Sequence, residues 1–394
     1  MQTDEIVLEI PYGTRDFLPH EAAEKRGLET VLADLFAAWG YDEIVTPTIE
    51  YLDTLTMGNG QALEPHMFKF FDKNNRTLAL RHEMTTPIAR VTASRLKDET
   101  LPLKLSYISS VYRYEQTQTG RQCEFYQAGV EFMGSGTAAA DAEVIALAAE
   151  GLLKAGLKDF QICLGQVEFI NGIMQQFRLS AGEQEKIKAA MEKRNLVGLE
   201  SILEQTTLAK SAKELLRKLP LLHGGEDVLA QAYDMAVTEQ SRRALDNLAV
   251  IYHLLEDYGI AEHVQFDLGV IRDFNYYTGM VFEVYTRGLG FPLCGGGRYD
   301  HMLSDFGAAC PATGFALGIE RMMLALERQG LSMPKIRKDI YVGYAEGKLP
   351  EALKQAMAYR RQGKVVELAP GAQAEREAAL YQKGKGYQQL VYLP

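Results

Sequence analysis

The chain has 394 residues, of which 47% are hydrophobic and 24% charged, a composition too rich in apolar residues for an intrinsically disordered protein. Lys and Arg number 42 against 52 Asp and Glu, and the net charge of -10 disfavours nucleic-acid binding through bulk electrostatics. No apolar run approaches the ~20 residues of a membrane span, and Asp4 and Glu5 disfavour a secretory signal, so we expect a cytoplasmic protein that does not contact a membrane.

Neither the cysteines nor the glycine-rich segment predicts a bound metal or cofactor. The cysteines show no C-x-x-C spacing, so we expect reduced thiols; they are Cys123, Cys163, Cys294 and Cys310. Gly295-Gly296-Gly297 precedes Arg-Tyr, which does not fit a Walker phosphate loop. We therefore expect no metal and no cofactor.

The first elements in chain order are a helix and a short strand. Apolar residues recur at helical spacing over 21 to 38 and predict a helix there; they are Leu28, Val31, Leu32, Leu35 and Phe36. Gly40 ends this helix. Ile44-Val45 then reads as a strand, which Pro47 prevents from pairing further.

Residues 103 to 134 predict a long antiparallel hairpin around a polar loop that contains Gly120. Alternation assigns two faces to its strands. The first face carries Tyr112, Tyr114, Tyr126, Ala128, Val130 and Phe132, and the second carries Arg113, Glu115, Gln127 and Glu131. The charged face suits the floor of a polar ligand site, and a solvated sheet face is the alternative.

Helical periodicity then replaces alternation and predicts a helical insertion at about 172–262. Strands resume in two alternating runs: Val264, Phe266, Leu268 and Val270, then Met280, Phe282 and Val284. A helix is predicted over 314 to 328, with Gly314, Gly318 and Arg321 on one face. The two glycines would let that helix lie close against a sheet.

After a linker at about 330 to 334, the pattern alternates as strand, helix, strand, helix and strand. This is typical of a small parallel α/β unit. We therefore predict two domains, residues 1–331, which include the insertion, and residues 332–394.

Unusual polar residues recur at strand and turn positions where the pattern predicts burial. They are Arg81, Glu83, Thr85, Arg113, Glu115, Arg121, Gln127, Glu131, Arg272, Tyr276, Tyr277 and Arg321. Guanidinium groups suit carboxylate or phosphate oxygens, carboxylates suit an ammonium or imidazolium group, and tyrosine hydroxyls can orient a flat ring. The set indicates a site for a small zwitterion, alone or beside a nucleotide; an internal ion-pair network is the alternative.

These residues fall within motifs that resemble the class II aminoacyl-tRNA synthetase core. Pro11-Tyr-Gly-Thr-Arg-Asp-Phe-Leu-Pro19 and the segment through Pro47 resemble the shared start and motif 1, the dimer-forming element. Tyr112-Arg113-Tyr114-Glu115, with Gly120-Arg121 and Phe125-Tyr-Gln127, resembles motif 2. Gly314-Phe-Ala-Leu-Gly318-Ile-Glu320-Arg321 resembles motif 3, and Arg272 with Tyr276-Tyr277 resembles the histidine-specific signature.

The resemblance is to histidyl-tRNA synthetases and to their non-synthetase paralogues, the regulatory subunits of short-form ATP phosphoribosyltransferases. It implies an α+β fold with a mixed, mainly antiparallel sheet flanked by helices, a helical insertion and a small C-terminal α/β unit.

The resemblance also implies a histidine site. Glu83 and Thr85 would hold the α-amino group, and Gln127 and Glu131 would surround the amino acid. Arg113 would meet the carboxylate or an α-phosphate, and Arg272 would lie beside the carboxylate. Tyr276 and Tyr277 would orient the imidazole. Arg121 and Arg321 would be vestigial contacts to nucleotide phosphates, and for Arg321 a packing and ion-pair role is an equal alternative.

Departures from the synthetase pattern favour the regulatory family. Gln116-Thr-Gln118 replaces Arg-Pro-Gln, and Cys123 stands where a second motif 2 arginine is expected. Asp273 replaces a glycine of the histidine signature and Asn275 replaces its aspartate. Leu80-Arg-His-Glu-Met-Thr-Thr resembles the regulatory version, and we expect a full anticodon-binding domain to need more chain than follows Pro334.

The resemblance therefore implies a non-catalytic protein without a cofactor. It would dimerise through motif 1, associate with the separate short catalytic subunit of ATP phosphoribosyltransferase and transmit feedback inhibition by L-histidine. Nucleic acid is an unlikely partner in this interpretation. The alternative is a histidine–tRNA ligase that forms histidyl adenylate and charges tRNA.

Overall fold

The computed structural model describes residues 8–114, 122–177, 179–269, 276–307, 309–331 and 336–394. Its contacts divide the chain into two compact units. Unit 1 comprises Met1–Asp16 and Lys25–Leu331, and unit 2 comprises Phe17–Glu24 and Ser332–Pro394.

Unit 1 is built on strands that run from Asp42 to Gly318. They are β1 Asp42–Glu43, β2 Ile49–Tyr51, β3 Lys69–Phe71, β4 Thr77–Leu80, β5 Leu103–Tyr112, β6 Glu124–Met133, β7 Gln161–Gln166, β8 His223–Gly224, β9 Val264–Asp267, β10 Met280–Tyr285, β11 Cys294–Arg298 and β12 Ala312–Gly318. Within the described residues, nine of them form one sheet in the order β1-β5-β6-β12-β11-β10-β7-β9-β8, and a second sheet has the order β2-β4-β3. Only β1–β5 and β7–β9 pair in parallel in the larger sheet, so the predicted mixed, mainly antiparallel class is confirmed.

Helices lie before, between and after these strands along the chain. They are α1 Pro19–Ala38, α2 Leu52–Leu55, α3 Thr85–Arg95, α4 Ala138–Lys154, α5 Val167–Gln176, α6 Ala181–Glu192, α7 Leu196–Gln205, α8 Lys210–Lys218, α9 Asp227–Met235, α10 Glu239–Asp257 and α11 Ile319–Arg328. Helix α4 packs against β6, β11 and β12. Its Gly151 lies so close to α1 that an added Cβ would be 3.1 Å from Leu32 Cδ2. None of the described helices is long and apolar enough to cross a membrane.

Four predicted segments can be compared directly with the structure. The helix over 21 to 38 is confirmed as α1, and the hairpin over 103 to 134 is confirmed as β5 and β6. The insertion is helical from α5 to α10 apart from the two-residue β8 and short 3-10 turns. The strand predicted at Ile44-Val45 is wrong, because the strand occupies Asp42–Glu43 and Val45 is 80% exposed.

The helix predicted over 314 to 328 is also wrong in its first half. Residues Ala312–Gly318 form β12 between β6 and β11, and only Ile319–Arg328 is helical. A central strand buried on both faces shows no alternation, so periodicity cannot separate it from a buried helix. Gly314 leaves space for the Glu131 side chain, since a Cβ at Gly314 would lie 2.3 Å from Glu131 Oε2. It does not serve close packing of a helix on the sheet.

Unit 2 contains a small parallel α/β fold at its C-terminal end, as the pattern predicts. Its elements are β13 Ile340–Tyr344, α12 Leu349–Arg361, β14 Val366–Leu368, α13 Glu375–Lys385 and β15 Gln389–Leu393. Both β14 and β15 pair in parallel with β13, which occupies the centre. Tyr341, Val342, Ala352 and Ala356 are buried in a core of its own.

Candidate functional site

The floor of the candidate site is the hairpin of β5 and β6. Gln127 and Glu131 project from the same face of β6 because they are four residues apart. Between them, Gly129 pairs with Tyr107 of β5. A Cβ on Gly129 would lie 2.5 Å from Tyr107 Oη, so the glycine lets the tyrosine ring lie across the sheet beside Glu131.

The N-terminus of α3 forms one wall. The Glu83 carboxylate accepts hydrogen bonds from the backbone N–H groups of Thr85 at 2.5 Å and Thr86 at 2.9 Å, so it caps the first turn of the helix. Thr85 Oγ1 donates to Glu131 Oε1 at 2.8 Å. Glu83 therefore fixes the start of α3, and Thr85 joins that helix to the floor.

A second wall is aromatic. Tyr299 Oη donates to Glu131 Oε2, and the Tyr299 ring stacks on Tyr276 with centroids 5.3 Å apart. Tyr277 meets Tyr276 edge-to-face at 4.9 Å. Burial, together with the nearby Glu131 carboxylate, holds the pKa of the Tyr276 and Tyr299 hydroxyls well above the usual range, so both are neutral donors near pH 7.

Glu131 is the electrostatic centre of the site. Its side chain is buried, and burial raises its pKa to about 8, although hydrogen bonds from Tyr299 and Thr85 act in the opposite direction. An empty site thus holds a carboxyl group that is largely protonated at neutral pH. A cationic group placed beside it would favour the ionised form.

These walls enclose a cavity of about 160 Å³. Its lining combines polar groups with aromatic rings and glycines, and includes Leu63, His82, Glu83, Met84, Thr85, Thr86, Tyr107, Arg113, Gln127, Glu131, Tyr276, Tyr277, Gly295, Gly296, Tyr299, Met302, Gly314, Phe315 and Ala316. Such a lining, mainly apolar with a few convergent polar groups, is typical of a site for a small organic ligand.

Arg113 brings positive charge to one side of the cavity. Its Nε donates to the His82 carbonyl at 2.9 Å, and its guanidinium group lies 5.4 Å from the centre of the Phe125 ring. Burial, and secondarily Arg113, lowers the pKa of His82 below its usual value, whereas Glu83 acts in the opposite direction, so His82 is neutral near pH 7. The buried atoms His82 Nδ1 and Gln127 Oε1 find no hydrogen-bond partner among the described residues.

Most residues predicted for the site line this one cavity. They are Glu83, Thr85, Arg113, Gln127, Glu131, Tyr276 and Tyr277. Arg272 and Arg121 lie outside the described residues, as do Glu115, Asp273 and Asn275. That the seven residues bind histidine stays a prediction.

Arg321 does not line the cavity. Its Nη1 donates to the Pro292 carbonyl at 2.8 Å, and its guanidinium group lies 5.2 Å from the centre of the Phe291 ring. In this arrangement Arg321 makes packing contacts, which the sequence left as an equal alternative to a phosphate contact.

Sequence reasoning missed Tyr107, Tyr299, His82 and Gly295. Tyr107 could have been found only from the hairpin register, which pairs it with Gly129. A signal for Tyr299 was available, because it directly follows a run of three glycines and an arginine. Such a run in a strand indicates close approach of other groups to the backbone.

Within the described ranges, no group of His, Cys, Asp and Glu side chains is arranged to hold a metal ion. The cavity therefore offers hydrogen-bonding, charged and aromatic groups from the chain itself. These groups can bind and orient a small zwitterion that carries a flat polar ring.

Comparison with known proteins first defines the class. The family model described as histidyl-tRNA synthetase matches residues 13–322. A histidyl-tRNA synthetase structure from Nostoc sp. PCC 7120 superposes with a TM-score of 0.85 at 21% identity, covering 98% of this chain and 91% of that one. That likeness shows the class II synthetase-type fold.

Relatives at higher identity define the family. Proteins named ATP phosphoribosyltransferase regulatory subunit, from Moorella thermoacetica and Acetivibrio thermocellus, are 42% and 41% identical to this chain. The alignments cover 96% of both chains in the first case, and 91% of this chain and 86% of the relative in the second. A Bacillus halodurans structure described as an ATP phosphoribosyltransferase regulatory subunit/histidyl-tRNA synthetase has a TM-score of 0.88 at 35% identity, covering 98% of this chain and 99% of that one. The chain belongs to the family of ATP phosphoribosyltransferase regulatory subunits, which confirms the family inferred from the motifs.

Proposed function

We propose that this chain is the non-catalytic regulatory subunit of a short-form ATP phosphoribosyltransferase and that its cavity binds L-histidine as the feedback effector. Its partner would be the catalytic subunit that carries out the first step of histidine biosynthesis. In this proposal the chain requires no cofactor and forms a homodimer through the region of α1, β1 and Pro47.

The observation that carries the proposal is the hydrogen-bonded cluster of Glu131, Thr85 and Tyr299 in the cavity lining. Free imidazole in a histidine side chain has a pKa of about 6.5. A protonated ring beside Glu131 would draw its carboxyl group, with a pKa raised to about 8, into the ionised form and make a charge-assisted hydrogen bond. Tyr276 and Tyr277 would limit the orientation of the flat ring.

The backbone end of histidine matches other polar groups in the cavity lining. Glu83 and the free amide oxygen of Gln127 are acceptors for an α-ammonium group, and Arg113 is a donor for the α-carboxylate. Phenylalanine has no ring nitrogen and would not make this hydrogen bond with Glu131, and a site built around such a bond discriminates against an analogue that lacks it. The cavity therefore favours histidine over apolar amino acids.

Regulation requires that histidine binds one arrangement of the complex more tightly than another. The coupling free energy between two such sites is typically ~1 to 3 kcal/mol, a change of roughly 5- to 150-fold in affinity. Histidine bound here would reduce activity of the catalytic subunit through that difference and without entering its active site.

The test combines calorimetry with activity measurements on the purified full-length chain. Histidine should bind the chain, and the chain should activate the catalytic subunit in a histidine-sensitive manner. Gln127→Leu should weaken histidine binding roughly 3- to 10-fold through one lost hydrogen bond. Gln265→Leu is the matched control, because Gln265 is exposed on β9 and does not line the cavity.

Two results would count against the proposal. One is a chain that neither binds histidine nor changes the activity of the catalytic subunit. The other is histidine-dependent ATP–pyrophosphate exchange and tRNA charging by the chain alone, which would identify the histidine–tRNA ligase alternative.

A further inference from the structure

A buried ion pair lies on the face of the large sheet opposite the cavity. Arg298 at the end of β11 and Asp141 in the first turn of α4 are both almost fully buried. Arg298 Nη2 lies 2.8 Å from Asp141 Oδ1, and Nε lies 3.2 Å from Oδ2. This two-point contact holds the guanidinium plane in a defined orientation against α4.

Every N–H of the Arg298 guanidinium group has an acceptor. Besides the two bonds to Asp141, Nη1 donates to the Ser135 carbonyl at 3.0 Å and to Asp300 Oδ1 at 3.1 Å, and Nη2 donates to the Thr137 carbonyl at 3.3 Å. An arginine has five such donors, so the group is fully satisfied. Lysine could not reproduce this arrangement, because its ammonium group has three donors and no planar fork.

The same arginine is bonded through its backbone to the segment that carries the two cavity tyrosines. The Arg298 carbonyl accepts a hydrogen bond from Thr278 N at 2.7 Å, directly after Tyr277 in the chain. The Asp300 N–H donates to Thr278 Oγ1 at 2.9 Å. A Cβ on Gly279 would lie 3.0 Å from Arg298 Cδ, so the arginine side chain also packs against this segment.

These contacts converge on the aromatic wall. Tyr299 lies between Arg298 and Asp300 in sequence, and alternation directs it to the cavity face while its neighbours face α4. Asp300 Oδ1 also accepts from Ala312 N at 3.1 Å, and Tyr299 N donates to the Ala312 carbonyl at 2.8 Å. Both ends of the Tyr276-Tyr277-Tyr299 wall are therefore attached to Arg298: Thr278 bonds its backbone carbonyl, and its guanidinium group bonds Asp300, which follows Tyr299.

We propose that Asp141 and Arg298 are positioning residues for ring recognition: from behind the sheet they set the distance between the tyrosine wall and Glu131. This inference rests on the proposed histidine site and concerns only how its ring end is held. A buried ion pair contributes little net stability compared with apolar residues of the same volume. Here the five hydrogen bonds of Arg298 fix the geometry of the guanidinium group. Neither residue touches the cavity.

The test compares two ligands that differ only in their rings. L-Histidine requires the ring end of the cavity, whereas β-(2-thienyl)-L-alanine has a five-membered ring without nitrogen and depends on the amino and carboxylate contacts. Asp141→Asn should lower histidine affinity about tenfold or more, with a smaller effect on the thienyl analogue. The ratio of the two affinities should therefore fall. Arg298→Lys, which keeps the charge and loses the fork, should lower the ratio in the same direction.

Glu143→Gln is the matched control. Glu143 follows Asp141 on the same helix, and the Glu143→Gln variant also loses one carboxylate charge. The partners of Glu143 are Lys104 at 2.7 Å and Tyr41 at 2.9 Å, and neither belongs to the tyrosine wall. The ratio of the affinities of the Glu143→Gln variant for histidine and for the thienyl analogue should stay at the wild-type value.

An unchanged ratio in a folded Asp141→Asn protein overturns the proposal, as does an equal loss of affinity for both ligands. If Asp141→Asn does not fold, Arg298→Lys decides; if neither variant folds, the pair supports only the fold and the proposal is rejected. A wild-type chain that binds no histidine is a different failure, because it removes the proposed function first.

Discussion

The two faces of the large sheet are built for different tasks. On the face toward α4, the cross-strand row is buried and closely packed: Val130 pairs with Phe315, which pairs with Gly296, which pairs with Phe282. The two phenylalanines fill the space over Gly296. One residue away on the cavity face, the corresponding row is Gly129, Ala316, Gly295 and Glu283. The period of two therefore separates residues that stabilise the fold from residues that leave space for a ligand.

The comparison teaches that stability and binding draw on opposite chemistry in adjacent residues. Close packing of apolar side chains stabilises the α4 face. On the cavity face, a buried carboxyl group and small residues leave the packing incomplete, as expected where a ligand supplies the missing contacts. Substitutions of neighbouring residues should consequently have different effects, and three experiments test this.

The largest contrast is expected between Gly296→Ala and Gly295→Ala. A Cβ on Gly296 would lie 2.3 Å from the Gly314 carbonyl oxygen and 2.7 Å from the Phe282 ring, so this change should destabilise the fold by more than about 3 kcal/mol. A Cβ on Gly295 would meet only the Phe282 carbonyl at 3.8 Å, so stability should change by less than about 1 kcal/mol. Thermal and urea unfolding of both variants provide the measurement.

In the same pair, Gly295→Ala should weaken histidine binding because its methyl group enters the cavity. Equal destabilisation by the two alanines would show that the faces do not differ in this way.

An intermediate effect is expected for Glu131→Gln. The amide keeps the shape of the side chain and cannot ionise, so histidine affinity should fall roughly 10- to 100-fold through loss of one charge-assisted hydrogen bond. Unfolding should be unchanged or require more urea, because a buried acid is replaced by a neutral group. Calorimetry and urea unfolding on the same preparation test both parts. Retained affinity would place the ring elsewhere.

The third experiment measures the pH dependence of stability without ligand. The pKa of Glu131 is about 8 in the folded chain against an ordinary 4.5, so between these values the folded state holds more protons than the unfolded state. This contribution to stability is complete below pH 4.5 and is lost as pH rises through 8, with a slope of at most about 1.4 kcal/mol per pH unit. Urea unfolding at about pH 5.5, 6.5 and 7.5, each in triplicate, should show that the wild-type protein loses stability relative to Glu131→Gln as the pH rises. Parallel pH profiles of the two proteins would contradict a raised pKa.

The sequence by itself determined the features that depend on local periodicity. Apolar spacing identified α1, alternation identified both faces of the hairpin, and strand–helix alternation identified the parallel fold at the C-terminal end. Motif spacing was sufficient for the family and gathered seven residues that line one cavity.

Tertiary structure decided what depends on register and burial. Residues 312–318 became a strand because both of their faces are covered, and Arg321 consequently contacts the Pro292 carbonyl. Tyr299 reaches Glu131 through packing of segments that are distant in sequence, and Tyr107 lies beside Gly129 because of the register of the β5–β6 hairpin. Local pattern fixes which way a side chain points from its own strand, whereas the partner it meets and the shift in its pKa depend on long-range packing.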